Sequence, residues 1–156
     1  MNREFLKIVL LEDEDLLRSL LGEWLNNQDK LSVVGNYECI ADFRQGLISD
    51  GIAADVLIVD LLLPDGDGLT AALEVISHVG HHIPVVVISG KPTAGLFDRL
   101  SQSLNGGWAF LMKDSNGLSS LRRAIDAVQD GLVMVDPHLK SLFSLGGRNA
   151  ALTPQE

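Results

Sequence analysis

Five short apolar runs, each followed by residues at helical spacing, constrain this chain more than any other feature. The runs cover positions 8–11, 31–34, 56–59, 85–88 and 109–112. Each is continuously apolar rather than alternating, as expected for strands buried on both faces of a parallel sheet. Between them the period changes. Leu16, Leu17, Leu20, Leu21, Trp24 and Leu25 form one helical stripe, and Ile40, Phe43 and Leu47 another. Leu69, Leu73 and Ile76 follow, then Leu96, Phe97, Leu100 and Leu104, then Leu118, Leu121, Ile125 and Val128. Five strand–helix units in strict alternation predict an α/β fold, a doubly wound five-stranded parallel sheet with helices on both faces.

Composition bounds what such a fold could do. The 156 residues make one domain with a short appendage, and 46% hydrophobic against 21% charged is enough for a continuous core. A net charge of −9 argues against this segment gripping a nucleic-acid backbone, which requires clustered Lys and Arg. Cys39 stands alone, so no internal disulfide forms and a reducing compartment fits. The first seven residues hold no apolar signal core, and no stretch reaches spanning length. The expectation is a cytoplasmic protein with no membrane partner.

In open α/β sheets, ligands bind beyond the carboxyl ends of the strands. Glu12 and Asp13 follow the first run, Asp60 the third, Ser89 the fourth and Lys113 the fifth. Four strands thus deliver polar groups to one rim. Three carboxylates there repel one another and require a compensating cation. Lys113 supplies one charge, and Mg²⁺ suits a site with few carboxylates and retained waters. A carboxylate can attack phosphorus to form an aspartyl phosphate, with the cations neutralising the transferring oxygens. Taken singly, these residues have plainer readings: Asp13 or Asp15 as a helix cap, Ser89 as a turn residue and Lys113 as a surface lysine. Their convergence favours a functional site.

The quintet Glu12/Asp13, Asp60, Ser89 and Lys113, with Pro64, Gly68 and Phe110, resembles the receiver domain of two-component response regulators over about residues 6–131. The segments 106–114, Asp136-Pro137 and Leu152-Thr153-Pro154 are similar to the NarL/FixJ (LuxR-type) branch. The resemblance implies strand order 2-1-3-4-5, the order the flavodoxin-like folds share. It also implies roles. Asp60 would accept the phosphoryl group from a sensor histidine kinase. Asp13, Asp60 and the backbone carbonyl of Leu62 would hold Mg²⁺, with Glu12 acting through water. Lys113 would contact the phosphoryl group, and Ser89 with Phe110 would form a switch pair leading to a homodimer. Glu12 stands where Asp is usual and Ser89 where Thr is common. Four glycines, at 90, 95, 106 and 107, loosen the stretch from Ser89 to Lys113, so the fourth helix is expected to be short.

The expected organisation is a receiver at 1–131, a linker with a short helix at 132–151, and the start of a C-terminal helix-turn-helix output domain at 152–156. Thr153-Pro154-Gln155-Glu156 has the form of a capping box that opens a helix. DNA would be contacted only through that further domain. Two alternatives remain: an aspartate-nucleophile phosphatase, or a stand-alone receiver acting by protein contact. The first requires a second acid two residues after the nucleophile, where Leu62 stands.

Weaker signals resolve plainly. Gly90-Lys91-Pro92-Thr93 lacks the earlier glycine of a phosphate loop. Asp65-Gly66-Asp67-Gly68 reads as a turn into a helix capped by Asp67 rather than a Ca²⁺ loop. His78, His81 and His82 read as solvated residues at a helix end. Trp24 is expected in the core, and Trp108 in a loop covering the sheet edge.

Overall fold

The computed structural model describes residues 4–91, 95–113 and 117–136. The elements run β1 (Leu6–Leu11), α1 (Asp15–Asn26), β2 (Leu31–Tyr37), α2 (Ile40–Arg44, continued by a π-turn at Gln45–Ser49) and β3 (Val56–Asp60). The two-residue strands β4 (Leu62–Leu63) and β5 (Gly66–Asp67) follow, then α3 (Gly68–Val79), β6 (Val85–Ser89), α4 (Leu96–Ser103), β7 (Trp108–Met112), α5 (Leu118–Gln129) and β8 (Val133–Val135). Among the described residues no helix is long and apolar enough to cross a membrane.

The main sheet has the order β2-β1-β3-β6-β7-β8 with every pair parallel, while β4 and β5 form a small antiparallel hairpin. The first five strands give the expected 2-1-3-4-5 order, so the doubly wound α/β class stands. The strand count does not: β8 adds a sixth strand beside β7. It escaped the sequence reading because three residues at a sheet edge, one of them exposed, produce no buried apolar run. The linker helix and capping box expected after Pro137 lie outside the described residues.

Side-chain alternation divides the core in two. Val9, Leu11, Leu57, Val59, Val85, Val87, Trp108 and Phe110 face α2, α3 and α4, meeting Phe43, Leu69, Val75, Leu96 and Leu100. Ile8, Leu10, Val56, Ile58, Val86, Ile88, Ala109 and Leu111 face α1 and α5, meeting Leu25, Leu121, Ile125 and Val128. Because β3 and β6 are buried at every position, polarity cannot alternate along them. That is the continuous pattern of the sequence. Trp24 packs half-buried against the α1/α5 core. Trp108 is not in a loop; it opens β7 at 2% exposure, edge-to-face with Phe97 at 5.8 Å. Gly106 and Gly107, both at positive φ, complete the turn one residue earlier than hydrophobicity alone suggests.

The loop after β3 explains how the two carboxylates of Asp-Gly-Asp-Gly are used. Asp65 accepts the N–H groups of Ile40 and Ala41 at 2.9 and 3.0 Å, capping α2 from outside. Asp67 caps α3 through the N–H of Thr70 at 2.8 Å, as its spacing predicts. It also takes a bidentate contact from Arg99 of α4, both bonds at 2.8 Å. The helix α4, only eight residues long, is thereby tied to the start of α3. Gly80 at φ 83° ends α3 in a left-handed cap.

Gly68 fixes the spacing between this helix and the central strand. A Cβ there would lie 1.9 Å from the carbonyl oxygen of Asp60. Gly68→Ala therefore forces α3 away from β3. Urea unfolding should show a loss of about 2–3 kcal/mol, and a loss below about 0.5 kcal/mol would contradict the close approach.

Candidate functional site

Sheet order and side-chain parity together assemble the rim. Glu12 continues the face of Ile8 and Leu10, Asp60 that of Val56 and Ile58, and Lys113 that of Ala109 and Leu111. These three strand ends therefore turn toward the same side of the sheet. Ser89 and Phe110 continue the opposite face, with Val85, Val87 and Trp108.

Lys113 is the centre of the arrangement. Its Nζ donates to Asp60 Oδ2 at 3.0 Å, Glu12 Oε2 at 3.1 Å and Glu14 Oε1 at 3.0 Å. Its three hydrogens thus meet three carboxylates. Asp60, 3% exposed, accepts the Leu62 N–H on Oδ1 at 3.2 Å. Glu12, fully buried, accepts the Glu14 N–H on Oε2 at 3.0 Å, while its Oε1 has no partner. Glu12, Asp13 and Asp60 each offer a carboxylate oxygen within 4.8 Å of the others, forming a group able to hold a cation. An orphaned buried oxygen beside two further carboxylates fits a hard divalent ion with oxygen ligands.

Electrostatics agree. Burial pushes the Glu12 carboxyl up to about 7, and the neighbouring Asp60 charge adds to this; the Glu14 N–H and Lys113 only partly offset them. Asp60 is also raised, first by burial and then by its contact with Asp13, against the lowering pull of Lys113 and the Leu62 N–H. Burial alone would lower Lys113, but its bonds to Asp60 and Glu14 and the charges of Glu12 and Asp60 hold it above the usual lysine range.

Ser89 is fully buried, and its Oγ donates to the Lys91 carbonyl at 2.9 Å and accepts the Lys91 N–H at 3.2 Å. Phe110 is fully buried on β7, paired with Val87, while Met112 pairs with Ser89. Glu12, Asp60, Ser89 and Lys113 are therefore brought to neighbouring strand ends, while Phe110 sits in the middle of β7. Neither Asp13 nor Asp15 caps α1; Glu14 occupies that position, and its side chain makes no capping bond to the helix. Sequence reasoning missed Glu14, an exposed acid whose contact with Lys113 spans 99 positions. It also gave no role to Arg99 or to the buried Asp136, whose partners lie 32 and 24 positions away. The histidines form no comparable set among the described residues; the His81 ring bonds the His82 carbonyl at 3.1 Å.

The metal-free protein should respond to pH through Glu12. The folded state keeps this carboxyl protonated up to about 7, whereas its ordinary value is 4.5. Its stabilising contribution is complete below about 4.5 and is lost as pH rises through about 7. Without divalent ions, Glu12→Gln should therefore melt about 3 °C or more above wild type at pH 8, with the gap closing toward pH 4.5. A wild type more stable than the variant at pH 8 would refute this.

Comparison with known proteins gives a consistent result. Residues 8–126 match the family "Response regulator receiver domain". The Bacillus subtilis transcriptional regulatory protein DesR is 32% identical over 146 residues, covering 89% of this chain and 66% of that protein. The DNA-binding transcriptional activator DevR/DosR of Mycobacterium tuberculosis is 25% identical over 145 residues, 93% of this chain and 64% of its own length. A protein-glutamate methylesterase/protein-glutamine glutaminase of Oceanobacillus iheyensis is 24% identical over 82% of this chain, but only 36% of that protein is matched. The chain thus spans between about a third and two thirds of these curated relatives. Among solved structures, a LuxR-family two-component response regulator from Aurantimonas sp. SI85-9A1 superposes with TM-score 0.76 at 15% identity, covering 92% of this chain and 98% of that one. The isolated receiver domain of RcsB from Salmonella enterica serovar Typhimurium, with a phosphomimetic beryllofluoride, gives 0.73 at 18% identity, covering 89% and 99%. The rim of carboxylates around one lysine, on this sheet order, belongs to a response regulator receiver domain, and the chain is a member of that family.

Proposed function

We propose that Asp60 accepts a phosphoryl group from the phosphohistidine of a sensor kinase, and that this chain is the receiver of a LuxR-type response regulator. The observation that carries the reading is the contact of Lys113 Nζ with the buried Asp60 carboxylate at 3.0 Å, beside Glu12 and Asp13. An Asp60 oxygen forms the new P–O bond as the P–N bond breaks, and the electron pair returns to the departing imidazole. Lys113, already among carboxylates, turns to the phosphoryl oxygens and balances their charge. Asp13, Asp60 and the Leu62 carbonyl would hold Mg²⁺, with Glu12 through water; the ion would neutralise charge on the transferring oxygens.

The phosphatase alternative is disfavoured because the residue two beyond Asp60 is Leu62, whose side chain has no proton to give a leaving group. The receiver reading makes this a cytoplasmic signalling domain, with self-phosphorylation as its own chemistry. A DNA-binding output would belong to a further C-terminal domain, as the resemblance to transcriptional regulators suggests. With a small phosphodonor and Mg²⁺, intact mass should rise by one phosphoryl group, and Asp60→Asn should abolish the gain. Equal labelling of the Asn variant would remove Asp60 from its role.

Phosphorylation adds about −1.5 to −2 charges and strong acceptor oxygens at the rim. Ser89 would leave Lys91 to bond the phosphoryl group, opening space for Phe110 to move and altering the face of α4, β7 and α5. Self-association is the readout of that change. Beryllofluoride should tighten homodimerisation about fivefold or more, and Ser89→Ala should lose most of that gain. An undiminished response of Ser89→Ala in sedimentation would rule out the switch pair.

A further inference from the structure

Asp136 is fully buried, although it lies beyond the last helix and just before Pro137. Two hydrogen bonds join it to β7. Its N–H donates to the Phe110 carbonyl at 2.9 Å, and its Oδ2 accepts the Met112 N–H at 2.9 Å. Phe110 and Met112 point their backbone groups toward β8, while Lys113 points its N–H the other way, to the Ser89 carbonyl at 2.9 Å. In a continuing parallel ladder the Met112 N–H would meet a backbone carbonyl. Here a side-chain carboxylate takes that place, and Pro137 has no N–H with which to extend the ladder.

The consequence falls on the next residue. The peptide groups leading into Lys113 are fixed from both sides, by the Ser89 carbonyl on β6 and by the Asp136 carboxylate after β8. From that anchored point the lysine side chain reaches Asp60. A buried carboxylate is costly unless its bonds are made, so Asp136 holds this end of β7 more firmly than an apolar edge residue would.

We infer that Asp136 is a positioning residue for phosphoryl transfer to Asp60, and that it ties the segment following β8 to the state of Lys113. The inference rests on the reading of Asp60 as phosphoacceptor. Asp136 acts through Met112 and Lys113 and does not touch the reacting atoms. When Lys113 exchanges carboxylates for phosphoryl oxygens, the load falls on the end of β7 that Asp136 grips. By reciprocity, whatever pulls on the chain after Asp136 alters phosphorylation by the same factor at equilibrium.

The test uses the whole 156-residue chain with acetyl phosphate and Mg²⁺, reading the initial rate of Asp60 labelling. Asp136→Ala should slow labelling about tenfold, and Asp136→Asn, which keeps an acceptor oxygen, should recover most of the rate. In parallel, hydrogen exchange at the Met112 amide of wild type should change about fivefold or more when beryllofluoride is added. A rate for Asp136→Ala within about twofold of wild type, well inside the tenfold effect expected of misplacement, overturns the inference. So does an Asn variant as slow as Ala. If Asp136→Ala does not fold, the wild-type exchange decides, and an unchanged Met112 amide overturns the coupling. Failure of wild type to label at Asp60 is a separate result that removes the underlying reading.

Discussion

One ammonium group holds the rim together. Lys113 stands among Glu12, Glu14 and Asp60, two of them buried, and these carboxylates would otherwise drive the strand ends apart. Two such charges within 4.8 Å repel by about 3–4 kcal/mol at an effective dielectric near 20. The sheet order sets the reach required. Strands lie about 4.8 Å apart, so β7 is nearly 10 Å from β3 and about 15 Å from β1. Only a long cationic side chain crosses that gap, and it must pass the end of β6. There the sequence places Ser89, small and on the opposite face. On the far side, Glu12 is one methylene longer than aspartate, which shortens the remaining gap to the lysine.

That geometry explains what was legible in the sequence. Buried parallel strands must be continuously apolar, so β1, β3, β6 and β7 announced themselves, and the first polar residue after each marked the rim. Asp60 and Lys113 were readable because both end such runs. Glu14 was not, since an exposed acid before a helix has a dozen ordinary uses, and only the fold brings it to Lys113. Asp136 was noticed only as half of an Asp-Pro pair. Its burial depends on β8, whose three residues carry no periodic signal of their own. Trp108 was misplaced for a related reason: strand boundaries are set by where backbone groups pair, and the two glycines before it end the turn early. The eight-residue α4 was foreseeable from its flanking glycines; its anchoring through Arg99 to Asp67 was not, because a salt bridge across 32 positions leaves no local trace.

The two-faced core gives the proposed switch its physical route. Glu12, Asp60 and Lys113 sit with the α1/α5 face, whereas Ser89 and Phe110 sit with the face covered by α2, α3 and α4. A charge placed on Asp60 is therefore on the wrong side of the sheet to push α4 directly. Something at a strand end must carry the change across, and Ser89, between β3 and β7, is the polar side chain there. Its hydroxyl is already bonded twice to the Lys91 backbone. Moving it costs those bonds, each worth about 1 kcal/mol net, while a charge-assisted bond to phosphoryl oxygen is about twice as strong as a neutral one. The two positions are therefore close in energy, which is what a switch requires. Phe110 shares its cluster with Leu96 and Leu100, so space released beside β7 is felt first by α4. That eight-residue helix buries Leu96 and Leu100 and is tied through Arg99 to Asp67 rather than by a long buried stripe. In the proposed switch, a small shift at Ser89 would reach α4 through Phe110, and the same β7 would pass it to Asp136 on its other edge.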